Sequence, residues 1–448
     1  MTSSDASPET ETPPPEQPTR HGDVLAGAAA LVALSAIGFY AFALARFALD
    51  VPVEDDVEFL RFLLSDEGTG WLALHNEHRP LVARLLFASV NGVLGHVDHR
   101  VVMWLGNACL VGVGVLVARW LPEGSRADRA FAAAPIVVLL FTLQHWQATT
   151  WATGAAQHYP MLLCALASIE CLARPTPTRT ALGAALATLA FLNLGAGVFA
   201  FVVGLGLLAH ARAWRLAGPF GAWAVLCVVL YFVGYARPDH HPSPFAALAS
   251  PVAAFDYLCT LVGGGLSFDD ASVGWLARFA GWGLGVAWLA VLTGRRWKDD
   301  PRVLAAMTFV LLTLGAVTAS RFGFGLDQAF DSRYRVYSHL LMALAFVAML
   351  DARGLARSRN RSAAVLVAAI ALSAASVPSA WAHMDEHRRF YADNARDWAR
   401  GETMIPGPAE YGAIVRRALE AGVWSFPCDA VGVEAGDRNP WCDDAERP

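Results

Sequence analysis

Three consecutive acids, Glu54-Asp55-Asp56, stand just past an apolar stretch, and His75-Asn76-Glu77-His78-Arg79 follows within the same polar segment. Carboxylates beside imidazoles and an arginine can take a proton, orient a hydroxyl or grip a phosphate. In a chain that is 55% hydrophobic and only 16% charged, such groups are costly to hold near lipid and mark a site that handles something. The same residue types return further along. Gln144, His145, Trp146, Gln147, Trp151, Gln157, His158 and Tyr159 form a second group, and Arg321, Asp327, Asp331, Arg333, Tyr334 and Arg335 a third. Carboxylates and amides bind sugar hydroxyls, Trp and Tyr stack on sugar faces, and Arg forks hold phosphate oxygens.

Helices must position these groups. The composition of the 448-residue chain is that of a polytopic membrane protein. A backbone in lipid has to satisfy its own hydrogen bonds, and no segment alternates like a barrel strand, so the fold class is all-α. The net charge of -5, with no basic patch of interleaved aromatics, argues against nucleic acid as a partner. Apolar segments run over Val24 to Phe47, Val101 to Leu121, Ala130 to Leu143, Met161 to Ala173, Ala181 to Leu192, Val198 to His210, Pro219 to Tyr235, Val273 to Leu292, Val303 to Ala319, Val336 to Leu350 and Ala363 to Val377. That predicts about eleven spans, several short and extended by their flanks.

Lys and Arg in the short connections set the orientation. Arg119, Arg126 and Arg129 share one connection, Arg174 and Arg179 another, Arg212 and Arg215 a third; Arg295 to Arg302 and Arg353 to Arg361 supply the rest. These lie on one side only if Arg79 to Leu94 is an interfacial amphipathic helix rather than a span. The expected division is a disordered cytoplasmic leader over 1–23, a transmembrane domain over 24–378 with its first outer loop over 48–100, and an extracytoplasmic tail over 379–448. The acids, the second and third polar groups, and the loop over Arg237 to Asp270 then share the outer face.

The order of features is a first span, an outer loop opening with Asp55-Asp56, interfacial helices, then many spans joined by short cytoplasmic turns. This resembles the GT-C membrane glycosyltransferases that use polyprenyl-phosphate sugars. Asn76-Glu77-His78-Arg79 and Ser332-Arg333-Tyr334 resemble segments of uncharacterised bacterial multi-span proteins of that broad type. The resemblance implies a sugar transferase at the outer face of a bacterial inner membrane, with an acid of the first outer loop, Asp55 or Asp56, as the base. Its donor would be a polyprenyl-phosphate sugar, its acceptor a saccharide, lipid or protein, and Arg321, Arg333 and Arg335 a clamp for the donor phosphate. A transporter or flippase of lipid-linked saccharides and a non-catalytic multi-span protein are the alternatives; the former requires polar residues inside the spans.

Plainer roles compete at each position. Asp55 and Asp56 would serve as solvated acids ending the first span. His75 and His78, three residues apart, would share one helix face and hold a divalent metal with Glu77, or orient substrate. Arg79 and Arg84 would snorkel to headgroups, Trp146 and Trp151 would belt the interface, and Gln144, His145, Gln157 and His158 would wall a binding site. Gly323-Phe324-Gly325 has no strand-to-helix setting and Gly263-Gly264-Gly265 reads as a turn. Asp239-His240-His241 and Asp269-Asp270 read as loop chemistry, and Asp385-Glu386-His387-Arg388 as a solvated helix face. Among the seven cysteines, Cys428 and Cys442 are spaced to close a disulfide loop in an oxidising compartment, whereas the others fall in or near apolar segments.

Overall fold

A computed structural model describes residues 20–64, 70–237, 242–243, 245–268, 274–350, 354–432 and 441–442. Most of the leader, Asp239-His240-His241 and Asp269-Asp270 lie outside the described residues. The chain is all-helical: α1 Arg20–Phe47, α2 Asp56–Leu63, α3 Leu81–Leu94, α4 His99–Arg119, α5 Arg126–Leu140, α6 Trp146–Thr150, α7 Ala152–Leu172, α8 Pro177–Phe191, α9 Phe199–His210, α10 Trp214–Phe232, α11 Ala246–Ala249, α12 Pro251–Val262, α13 Gly274–Thr293, α14 Arg302–Arg321, α15 Arg335–Met349, α16 Arg359–Ala399, α17 Tyr411–Glu420 and α18 Cys428–Val431. Polar caps start several of these. Asp98 accepts from the backbone of Arg100 and Val101 to open α4, Ser125 from Asp128 to open α5, and Thr176 from Arg179 to open α8.

Among the described residues, seven helices are long and apolar enough to cross a membrane: Asp23–Phe47, His99–Arg119, Arg126–Thr150, Trp214–Phe232, Gly274–Thr293, Arg302–Phe324 and Leu355–Ala399. The chain is therefore a multi-pass membrane protein, with fewer helices meeting that measure than the apolar segments suggest. All of those segments fall on helices, but α8, α9 and α15 have only 15, 12 and 15 residues. A 30 Å hydrocarbon core asks for about 20. Helix α7 is long enough at 21 residues but carries Thr153, Gln157, His158 and Glu170. It is also buried along most of its length, because α4, α8, α9 and α14 pack around it. At Gly106 a Cβ would sit 2.6 Å from the backbone of Ala155, so α4 reaches α7 only through a glycine. Gly263 does the same for α12 and α13, where a Cβ would meet the Ala277 carbonyl at 1.8 Å.

A second core lies beside the bundle. The loop after α1, α2, α3 and the start of α4 pack on the end of α16, on α17 and on α18, with Phe59, Phe87, Val97, Val415 and Trp424 all buried. The Phe59 and Phe87 rings stack at 4.5 Å, and burying each side chain contributes about 1.5–3 kcal/mol. The Val97 N–H donates to the Val423 carbonyl at 2.7 Å, and a Cys428–Cys442 disulfide closes the end of the tail. The boundary expected at 378 falls within α16, which runs unbroken through Pro378. The stretch from His383 to Arg400 continues that helix, so the tail packs onto the segment between α1 and α4. In its Asp385-Glu386-His387-Arg388 segment Asp385 pairs with exposed Arg389, while His387 turns against Trp146 at 5.4 Å.

At the other end of the bundle the charges brace helices. Glu170 accepts from the Trp120 indole at 2.7 Å and from Arg302 at 3.1 Å, and Arg359 pairs with Asp128 at 2.7 Å.

Candidate functional site

The loop after α1 places two neighbouring carboxylates on opposite sides of one turn. Glu54 adopts a left-handed backbone (φ 44), unusual for a non-glycine residue, and its side chain accepts from the Tyr391 hydroxyl at 3.1 Å. From that corner Asp56 turns inward. It is 0% exposed and accepts from the Val53 N–H at 3.0 Å, the Thr153 N–H at 2.8 Å and the Thr153 hydroxyl. Asp56 thus fastens the loop after α1 to the first turn of α7. Burial pushes its carboxyl up to about 6 despite these donors and nearby His99.

Asp55 turns the other way, with its side chain 30% exposed and its Oδ2 3.4 Å from His75 Nε2. Burial raises its carboxyl, but His75, Arg333 and Asn76 together outweigh that and hold it below the usual carboxylate range. His75 and His78 are not on a helix, as their spacing suggested. They face each other across a tight turn, paired through His75 N–H to His78 O at 2.8 Å and His78 N–H to His75 O at 2.9 Å. Asn76 takes the left-handed position of that turn (φ 50), which its short polar side chain tolerates. Its amide donates to Asp55 at 3.4 Å, so the turn and the acid are held together.

A cavity of about 320 Å³ opens over this turn. Asp55, His75, Glu77, His78, Gln157, His158, Arg321, Arg333 and Tyr334, all expected from sequence, line it. Asn76 and Trp151, also named from sequence, line it as well, and Phe191, Gly195, Tyr231, Thr313 and Tyr337 join them without having stood out in the sequence. These five sit on helical turns where an apolar, small or aromatic residue needs no special role. Arg321 pairs with Glu77 at 2.6 Å. Arg333 pairs with Asp331 at 2.8 Å and lies 6.0 Å from the Trp151 ring and 5.3 Å from that of Tyr334. Burial disfavours the Arg333 charge, but Tyr334, Asp331 and Glu54 more than restore it.

One imidazole of the cavity, that of His78, is poised as a neutral group. His78 Nδ1 accepts the Gly195 N–H at 3.2 Å, which leaves the proton of the neutral ring on Nε2. Burial pulls His78 down to about 4, with Arg321 and His75 acting in the same sense and Glu77 and Asp55 opposing. His158 Nδ1 and the Tyr337 hydroxyl share a hydrogen bond at 2.8 Å. Gln157 is 7% exposed, and its amide nitrogen has no hydrogen-bond partner among the described residues.

Other residues named from sequence lie elsewhere, and three of them are committed to neighbouring groups. Arg79 braces the loop by donating to the carbonyls of Tyr231 at 2.9 Å, Val233 at 2.6 Å and Leu72. Arg335, 1% exposed, donates to the Phe330 carbonyl at 2.6 Å at the start of α15. His145 joins a buried chain through the bundle. Its Nε2 donates to the Leu140 carbonyl at 2.9 Å and its Nδ1 accepts from the Tyr159 hydroxyl at 2.8 Å. Thr149, Tyr40 and Asn107 extend that chain. Gln144 is fully buried beside it, and its side-chain amide has no partner among the described residues. No group of three or more His, Cys, Asp or Glu side chains among the described residues is placed to hold a metal ion.

The cavity is of mixed polarity. Two acids, three imidazoles, two amides and two arginines line it together with apolar Phe191, Leu194, Val198, Phe232 and Val317. Such a space suits an amphiphile with an anionic polar end. In comparisons with known proteins the chain matches no family model, no curated protein and no solved structure.

Proposed function

We propose that this chain is a GT-C type membrane glycosyltransferase that moves a sugar from a polyprenyl-phosphate donor to an acceptor hydroxyl. The observation that carries the reading is that Asp55, Arg321 and Arg333, far apart in sequence, line one cavity. In the proposed reaction the acceptor oxygen attacks the anomeric carbon and the bond from that carbon to the phosphate oxygen breaks. The leaving phosphate keeps the bonding pair, and Arg321 and Arg333 hold its charge. The acceptor proton passes to the Asp55 carboxylate and then to water. A carboxylate held low is ionised but weakly basic, which suits a proton that departs late, once the hydroxyl has begun to bond. His75 and Asn76 orient Asp55. Asp56, buried and saturated with donors, serves as the anchor of that loop.

The donor's chain has a place beside the cavity. A groove of about 740 Å³ between α12, α13 and α14, lined by Leu258, Trp282, Trp288 and Leu312, shares Ala316 with it. The proposal includes about eleven crossings of a bacterial inner membrane, with the arginine-rich connections cytoplasmic and the cavity facing out.

A second reading, a flippase for lipid-linked saccharides, draws support from the buried polar chain of Tyr40, Asn107, Thr149, Tyr159 and His145. The two separate in proteoliposomes loaded with a polyprenyl-phosphate sugar and candidate acceptors. A transferase releases polyprenyl phosphate only when acceptor is present and loses that release in Asp55→Asn. Movement of intact donor across the bilayer without release, unaffected by Asp55→Asn, would overturn the transferase.

A further inference from the structure

A second cavity lies at the opposite end of the bundle, where α13, α14 and α15 meet the arginine-rich connection between α13 and α14. Its volume is about 390 Å³. Val291, Val303, Leu304, Ala345 and Met349 make an apolar slot, and Arg295, Trp297 and Asp300 stand at its polar edge. No residue of the proposed sugar-transfer site lines it, so it answers to a different ligand.

The polar edge offers donors to an anion. Asp300 is paired with Arg302, which binds both of its oxygens at 2.8 Å and 2.7 Å and also reaches Glu170 at 3.1 Å. Arg295 makes no ion pair among the described residues and lines the cavity. The Trp297 indole N–H is buried and has no hydrogen-bond partner among the described residues, although its ring lines the cavity. That ring is held in place. It packs 5.2 Å from His210 of α9, whose Nε2 donates to the Lys298 carbonyl at 3.1 Å, so the connection is tied to its neighbouring helix. A phosphate oxygen between Arg295 and the indole would satisfy both groups, and a chain running down the slot would cover its apolar wall.

We propose that this cavity binds an anionic phospholipid, with the headgroup phosphate on Arg295 and Trp297 and one acyl chain in the slot between α13, α14 and α15. A basic group and an indole at one end of an apolar slot are the arrangement expected at the interfacial level of a bilayer. The lipid thereby fills the seam that joins α13 to α14 and α15. The inference stands whether or not the transferase reading does.

The test uses the full chain, delipidated in detergent and titrated with phosphatidylglycerol or phosphatidylcholine under native mass spectrometry. Wild type should retain phosphatidylglycerol in preference to phosphatidylcholine. Arg295→Ala and Trp297→Phe should each lower that retention several-fold, and Arg295→Lys should recover part of it. Both lipids retained alike, or unchanged retention in properly folded Arg295→Ala, would overturn the site. Displacement of the lipid by millimolar inorganic phosphate alone would also count against it, because it would assign the edge to a free anion. Unfolding temperature measured in parallel separates loss of lipid from loss of fold.

Discussion

The cavity wall and the seam beneath the loop after α1 are built from adjacent carboxylates, yet they work under opposite conditions. Asp55 faces an open volume and is surrounded by groups that favour its charge. Asp56 sits in a dry seam, where three donors from Val53 and Thr153 do not fully offset burial. The contrast teaches that charge near a membrane serves two ends. In the seam it ties a loop to a helix, while in the cavity it stays open to the volume it lines.

Removing the seam's acceptor should have the largest effect. Asp56→Ala leaves three buried donors without partners, so it should destabilise the protein by about 3–5 kcal/mol and sharply lower the amount of folded protein in detergent. Asp55→Ala should leave folded yield nearly unchanged. Equal losses would erase the distinction. Opening the disulfide comes next. Cys428→Ser frees a loop with a separation of 14 residues, and thermal unfolding should show a loss of about 3 kcal/mol centred on the tail and first-loop core.

The acids should also respond to pH with opposite signs. The folded pKa of Asp56 lies above its unfolded value, so its contribution is fully present below about pH 4 and is lost as pH rises through about 6. Asp55 is held low, so its contribution is present above about pH 4 and is lost as pH falls through its depressed folded value. Unfolding temperature measured from pH 4 to 7 should therefore decline less in Asp56→Asn than in wild type, and Asp55→Asn should not flatten that decline. The smallest effect is expected at Gly195. A Cβ there would lie 3.3 Å from the Tyr231 hydroxyl and 3.4 Å from His78 Nδ1. Gly195→Ala should lower any cavity activity several-fold while leaving the unfolding temperature within about 1–2 °C.

Much of this was legible in sequence, and the parts that were not share a cause. Apolar segments and the interfacial stretch before Leu94 follow from composition, and each falls on a helix. The Cys428–Cys442 bridge follows from position and spacing. Which acid faces the cavity does not, because it depends on the left-handed corner at Glu54 and on Thr153, nearly a hundred positions away. The three-residue spacing of His75 and His78 fits a helix and a tight turn alike, and only the left-handed Asn76 decides between them. Arg79 looked like a ligand until Tyr231 and Val233 supplied carbonyls that no local pattern announces. Short α8, α9 and α15 carry apolar runs without the length of a full crossing, so the count read from hydropathy exceeds the number of helices that meet that length.

The central claim is that Asp55 performs chemistry and Asp56 holds structure. Its most direct test measures acceptor-dependent release of polyprenyl phosphate and unfolding temperature side by side for Asp55→Asn and Asp56→Asn in matched proteoliposomes. The account predicts that Asp55→Asn loses about 10²–10⁴-fold in release at unchanged unfolding temperature. Asp56→Asn should shift the unfolding temperature and, per folded molecule, retain release within about tenfold. Full release from folded Asp55→Asn, or loss confined to Asp56→Asn, would contradict it.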